Sequence, residues 1–133
     1  MVNLVQTVFG PRIVRPLFWL LTAFTLTMAF LPKPPATPLD QFGDKFEHML
    51  AFAVLTGVAL VGWPRSKRWR IVLLLSALGA MIEFVQAIPM LHRDSDWHDW
   101  AADTIAIVVA AVLVSPIVHL LRLDSGEAAQ PAE

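Results

Sequence analysis

Residues 71–91, Ile71-Val72-Leu73-Leu74-Leu75-Ser76-Ala77-Leu78-Gly79-Ala80-Met81-Ile82-Glu83-Phe84-Val85-Gln86-Ala87-Ile88-Pro89-Met90-Leu91, carry a single ionisable side chain, that of Glu83. A run of this length and polarity is what an α-helix needs to cross a hydrocarbon core, about 20 residues at ~1.5 Å each. It is too long for a strand and shows no period-two alternation. Three further apolar runs surround it. Residues 46–63 precede it and end at Pro64; residues 14–31 come earlier and end at Pro32-Lys33-Pro34-Pro35; residues 97–121 follow. Several of these reach spanning length only by taking in charged residues at one end.

Composition agrees with that reading. Hydrophobic residues make up 56% of the 133, and Asp, Glu, Lys and Arg only 16%, against roughly 25% in soluble domains. The charges fall in clusters between apolar runs, where a soluble bundle would spread them along every helix face. The expected fold is all-α: an integral membrane four-helix bundle, one domain over residues 14–121. Residues 1–13 form an amino-terminal segment, and residues 122–133, small and polar, a disordered tail. Arg12 and Arg15 before the first run suit a signal peptide, but no small-x-small cleavage site follows, so the run is read as a retained helix. The absence of cysteine excludes disulfides, thiolate metal sites and a cysteine nucleophile. A net charge of −1 gives no reason to expect nucleic-acid binding.

Short-loop lysines and arginines set the expected orientation. Arg12, Arg15, Arg65, Lys67, Arg68, Arg70 and Arg122 share one side, and only Lys33, Lys45 and Arg93 the other. Both termini are therefore expected in the cytoplasm. On this topology the polar residues of three distant segments meet at the outer face: Asp44, Lys45 and His48; Glu83 and Gln86; Arg93, Asp94, Asp96, Asp99 and Asp103.

Helical spacing sharpens the convergence. Asp44 and His48 lie four apart, on one face. Ser76, Gly79, Glu83 and Gln86 form one stripe, and Asp99, Asp103, Ala106 and Ala110 another, with small residues that let helices approach closely in lipid. Both stripes are expected to face inward, bringing Glu83 near Asp99 and Asp103. Counted from Leu91, Glu83 lies about 12 Å below the outer helix end. A carboxylate in that setting pairs with a cation or takes up a proton, and Lys45, Arg93 and His48 are the cations in reach. The blander reading makes Glu83 and Gln86 interhelical glue, and His48 either a proton carrier or a hydrogen-bonded interface histidine. His92, Asp94, Asp96, His98 and Asp99 match no zinc spacing and read as a solvated loop, so no metal or cofactor is expected. Asp96 suits the cap of the fourth helix, with Asp99 favourable in its first turn. The tryptophans read as interfacial anchors, and the middle-loop cations as topology determinants with anionic-lipid contact second. No serine–histidine–acid set, phosphate-cradling glycine loop or dinucleotide fingerprint is present.

Three motifs resemble a known family. Asp44-Lys45-Phe46-Glu47-His48 is similar to the Asp-Lys-x-x-His opening of VanZ-like membrane proteins, Glu83-Phe84-Val85-Gln86 to their Glu-x-x-Gln, and Arg93 with Asp99 to their Arg…Asp element entering the last helix. The likeness covers about residues 40–114. Asp103 stands where the family commonly has Asn, and Ala106 where a small Gly is expected. The resemblance implies a multi-pass protein of the bacterial cytoplasmic membrane, in a family named for resistance to teicoplanin, a glycopeptide acting on cell-wall precursors.

The function expected from residues and resemblance together is an outward-facing polar pocket for a cell-wall or lipid-linked ligand. Lys45 and Arg93 would meet phosphate or carboxylate groups, and Asp44, His48, Glu83, Gln86, Asp99 and Asp103 would complete the site. Membrane lipid is the expected surrounding partner. A proton-coupled carrier or small channel using Glu83 and His48, an enzyme acting on lipid head groups, and a structural subunit of a membrane complex are the competing readings.

Overall fold

The computed structural model of the chain describes residues 10–124. Four α-helices carry the described fold: α1 (Pro11–Phe30), α2 (Asp44–Gly62), α3 (Arg68–Gln86) and α4 (Trp97–Asp124). Short 3-10 turns at Asp40–Phe42 and Pro89–Leu91 shape two of the connections, and no strand occurs among the described residues. Each of the four helices is long and apolar enough to cross a membrane, as in a multi-pass membrane protein. Their outward faces support this: Phe24, Leu74, Phe84 and Leu113 are all exposed, an arrangement that suits lipid and not water.

Three contacts fix the alternation of helix direction. Near the start of α1, Arg15 Nε donates to the Gly62 carbonyl at the end of α2, at 2.9 Å. At the end of α3, Gln86 Nε2 donates to the Ala29 carbonyl at the end of α1, at 3.0 Å. Lys45 and Asp99, in the first turns of α2 and α4, form an ion pair at 2.9 Å. One end of the bundle therefore gathers the amino termini of α2 and α4 with the carboxyl ends of α1 and α3. This is the polar end. The other, basic end carries Arg15 and the loop before α3.

Helix α4 packs against α2 and α3, and α1 against α2 and α3. Phe52, Leu55, Ile82 and Ile107 are buried at the centre. In lipid, apolar side chains gain little by leaving the solvent, so this core holds by close packing. At Gly79 the helices pack closely: a Cβ there would stand 3.4 Å from the Trp100 ring and 3.5 Å from Phe52, which are ordinary contacts.

The helix ends follow local chemistry. Helix α1 opens with Pro11 at its first position, where the missing N–H costs nothing, so it starts before residue 14. Gly43, with φ of +88°, turns the chain into α2 through a conformation open chiefly to glycine. The expectation that the third span runs to Leu91 is corrected. Helix α3 ends at Gln86, because Pro89 forces its predecessor Ile88 into an extended conformation (φ −72°, ψ 119°). Glu83 is therefore in the last turn, about 4.5 Å from the helix end at ~1.5 Å per residue, and not 12 Å deep. Helix α4 continues to Asp124. Residues 1–9 of the expected amino-terminal segment and 125–133 of the expected tail lie outside the described residues.

Candidate functional site

At the polar end, two ion pairs tie α2 to the segments after α3. Lys45 Nζ meets Asp99 Oδ1 at 2.9 Å, and Arg93 Nη2 meets Asp44 Oδ2 at 3.3 Å. The Arg93 side chain is only 13% exposed, whereas Asp44 is 60% exposed, so the pair reaches from the bundle to its rim. Both acids stand in the first turn of a helix, where the helix dipole favours negative charge.

His48 lies between two carboxylates. Its Nε2 is 3.9 Å from Asp44 Oδ1 and its Nδ1 is 3.8 Å from Asp103 Oδ2, both beyond hydrogen-bond length. Asp103 is 2% exposed, and its Oδ1 has no hydrogen-bond partner. Lys45 and Arg93 thus stand among a cluster of carboxylates that includes Asp44, Glu83, Asp99 and Asp103.

Of the cations expected in reach of Glu83, neither Lys45 nor Arg93 pairs with it. Lys45 and Arg93 are held by Asp99 and Asp44, and Glu83 is claimed by the chain entering α4. Its Oε2 accepts the Asp96 backbone N–H at 2.9 Å and the Ser95 hydroxyl at 3.2 Å, while Ser95 also reaches the Glu83 carbonyl at 2.9 Å. The early end of α3 makes this possible, since it leaves the loop room to fold back over the last turn. Glu83 Oε1, also buried, has no hydrogen-bond partner. Gln86 is spent on the Ala29 carbonyl, one of the free carbonyls at the end of α1.

Asp96 caps α4 as its type and place suggest: its Oδ1 accepts the His98 N–H at 2.9 Å. That bond, with the His98 ring at 2.6 Å, holds the Asp96 carboxyl below its ordinary value. In the α1–α2 connection, the Thr37 hydroxyl and backbone N–H meet Asp40 Oδ1 at 2.8 and 3.0 Å and lower that carboxyl likewise. Thr37 also touches Glu47 Oε1 on α2. Among the described residues, no three carboxylates, histidines or cysteines are grouped as a metal ion requires.

A cavity of about 300 Å³ opens beside this cluster, between α1 and α2. Asp44, Glu47, His48, Thr37 and Arg93 form its polar mouth. Leu21, Phe24, Met28, Leu50, Val54 and Leu55 form its apolar wall. Of the eight residues expected to share one pocket, Asp44, His48 and Arg93 line this cavity. Lys45, Glu83, Gln86, Asp99 and Asp103 do not: Lys45 and Asp99 join α2 to α4, Gln86 joins α3 to α1, Glu83 holds the loop entering α4, and Asp103 is buried facing His48.

Several partners escaped the sequence reading. Ser95 and Thr37 lie in loops whose fold-back only the tertiary structure reveals, although Thr37 three residues before Asp40 is a local turn pattern. Trp100, read as an interfacial anchor, donates its indole N–H to the Ser76 carbonyl at 3.0 Å, and Ser76 meets Thr104 at 2.8 Å. Both contacts join α4 to α3. Compared with known protein families, curated proteins and solved structures, the chain finds no match.

Proposed function

We propose that this chain is a VanZ-like envelope protein of the bacterial cytoplasmic membrane, with both termini cytoplasmic. In this reading its polar end faces outward and takes the phosphate-bearing head of a lipid-linked ligand. The observation that carries the proposal is the cavity between α1 and α2, in which a polar mouth containing Arg93 stands over an apolar wall. One cavity of both characters suits an amphiphile, with the head at the mouth and the chain against Phe24, Leu50 and Val54. Arg93 spends one nitrogen on Asp44 at 3.3 Å, and a guanidinium has five donors in a fork that matches phosphate. The three family-like motifs support the same reading, because all of them contribute to this end of the bundle.

The test uses a phospholipid bearing a photoactivatable group on its acyl chain, added to membranes containing the full chain. Crosslinks should concentrate on Phe24, Leu50 and Val54. Ala51→Trp, which fills the cavity, should remove them, and Arg93→Gln should lower their yield severalfold. Crosslinks spread evenly over all outward faces, unchanged by Ala51→Trp, would refute the reading. In cells, teicoplanin susceptibility that depends on the chain should revert with Ala51→Trp at equal membrane abundance.

A further inference from the structure

At the opposite, basic end a second cavity of about 60 Å³ lies where the α2–α3 loop meets α4. Its polar lining consists of Ser66, Arg68, Ser115 and His119, and no carboxylate lines it. The volume is about twice the ~30 Å³ share of a liquid water, enough for a small ion and too little for an acyl chain.

Two independent features point to what this space holds. Helix α3, 19 residues long, begins here without help: Lys67 at its cap position makes no side-chain capping bond, and no acid occupies its first turn. A helix start of that kind, with Arg68 at the first position, favours an anion. Ser115 is the second feature. It is 4% exposed, lines the cavity, and its hydroxyl has no hydrogen-bond partner. Other hydroxyls in these helices behave differently: Thr22, Thr27 and Thr56 each return theirs to the carbonyl four residues back. A buried hydroxyl left without such a bond costs free energy unless a ligand completes it.

We infer that Ser66, Arg68, Ser115 and His119 form a binding site for a phosphate-type oxyanion at the basic end of the bundle. Arg68 supplies charge and paired donors, the serines supply hydroxyls, and the start of α3 adds its positive dipole. The oxyanion is either the phosphate of an anionic lipid head at that membrane face or free phosphate.

The experiment measures binding of short-chain phosphatidic acid to the detergent-solubilised full chain by native mass spectrometry, with phosphatidylcholine of equal chain length as control. Arg68→Gln should weaken phosphatidic acid binding by about tenfold, the worth of a charge-assisted hydrogen bond. Ser115→Ala should weaken it severalfold while leaving thermal stability unchanged or raised, since it deletes a hydroxyl that bonds nothing in the free protein. Inorganic phosphate that displaces the lipid identifies the free ion as a sufficient ligand; phosphate that does not, with both variants still weakened, identifies the lipid head. Wild-type affinity for both phosphatidic acid and inorganic phosphate in either variant overturns the site.

Discussion

Replacing Glu83 tests how the polar end is held together. Its Oε2 receives two donors from the loop entering α4, at 2.9 and 3.2 Å, while Oε1 receives none. Glu83→Ala leaves the Asp96 N–H without its acceptor, while Ser95, whose single proton also faces the residue-83 carbonyl at 2.9 Å, keeps that partner. The loss, chiefly that of the stranded donor, is about 1–3 kcal/mol. Glu83→Gln keeps an acceptor oxygen in place and relieves the cost of burying a carboxylate, up to ~2.5–3.5 kcal/mol for a charge at mid-helix on insertion scales and less near a helix end. The glutamine variant should therefore lie within about 1 kcal/mol of the parent. Unfolding by sodium dodecyl sulfate in mixed micelles, followed by far-ultraviolet circular dichroism, measures all three proteins. Parent-like stability for the alanine variant would refute the bonding role. A glutamine variant as weak as the alanine variant would show that the negative charge, and not the acceptor, is what the site requires.

Gly79→Ala should be nearly neutral in the same titration, because its Cβ meets ordinary contacts at 3.4 and 3.5 Å, whereas Gly79→Leu should cost about 1–3 kcal/mol by overpacking. Acid should act on the α4 cap with a definite sign. Since Asp96 binds its proton less readily when folded, its contribution is complete above the ordinary value of 3.8 and is lost as pH falls through the lower folded value. The melting temperature should accordingly fall in that acid range, less steeply in Asp96→Asn, which keeps a capping oxygen. Orientation is checked with single cysteines at Asp94 and Lys67, both exposed. An impermeant thiol reagent on intact cells should label Asp94→Cys and spare Lys67→Cys, and the reverse pattern would invert the topology.

The four helices were legible because spanning runs are set by length and polarity, both of which a sequence displays. So were the inward stripes: Gly79, Glu83 and Gln86 are buried on α3, as are Asp103, Ala106 and Ala110 on α4. The partners were not. Residues 87–91 are apolar enough to extend the third span, and only the backbone consequence of Pro89 shows that the helix has stopped. Once it stops at Gln86, residues 92–96 fold back and Asp96 takes Glu83 ahead of Lys45 and Arg93. Spacing along one helix places a side chain on a face, but says nothing of how far neighbouring helices are rotated. Lys45 with Asp99, and Gln86 with Ala29, depend on that rotation.

The polar first turn of α2 bears on the membrane as much as on the protein. Asp44, Lys45, Glu47 and His48 all belong to this helix, so its uncharged stretch, residues 49–62, is only about 21 Å long at ~1.5 Å per residue. A hydrocarbon layer is about 30 Å thick. In a bilayer such a helix would be met by thinner lipid, by snorkelling of flanking side chains such as Lys45, or by water at the rim, at fractions of a kcal/mol per ångström of mismatch. A bilayer pinched in this way would lower head groups toward the mouth between α1 and α2.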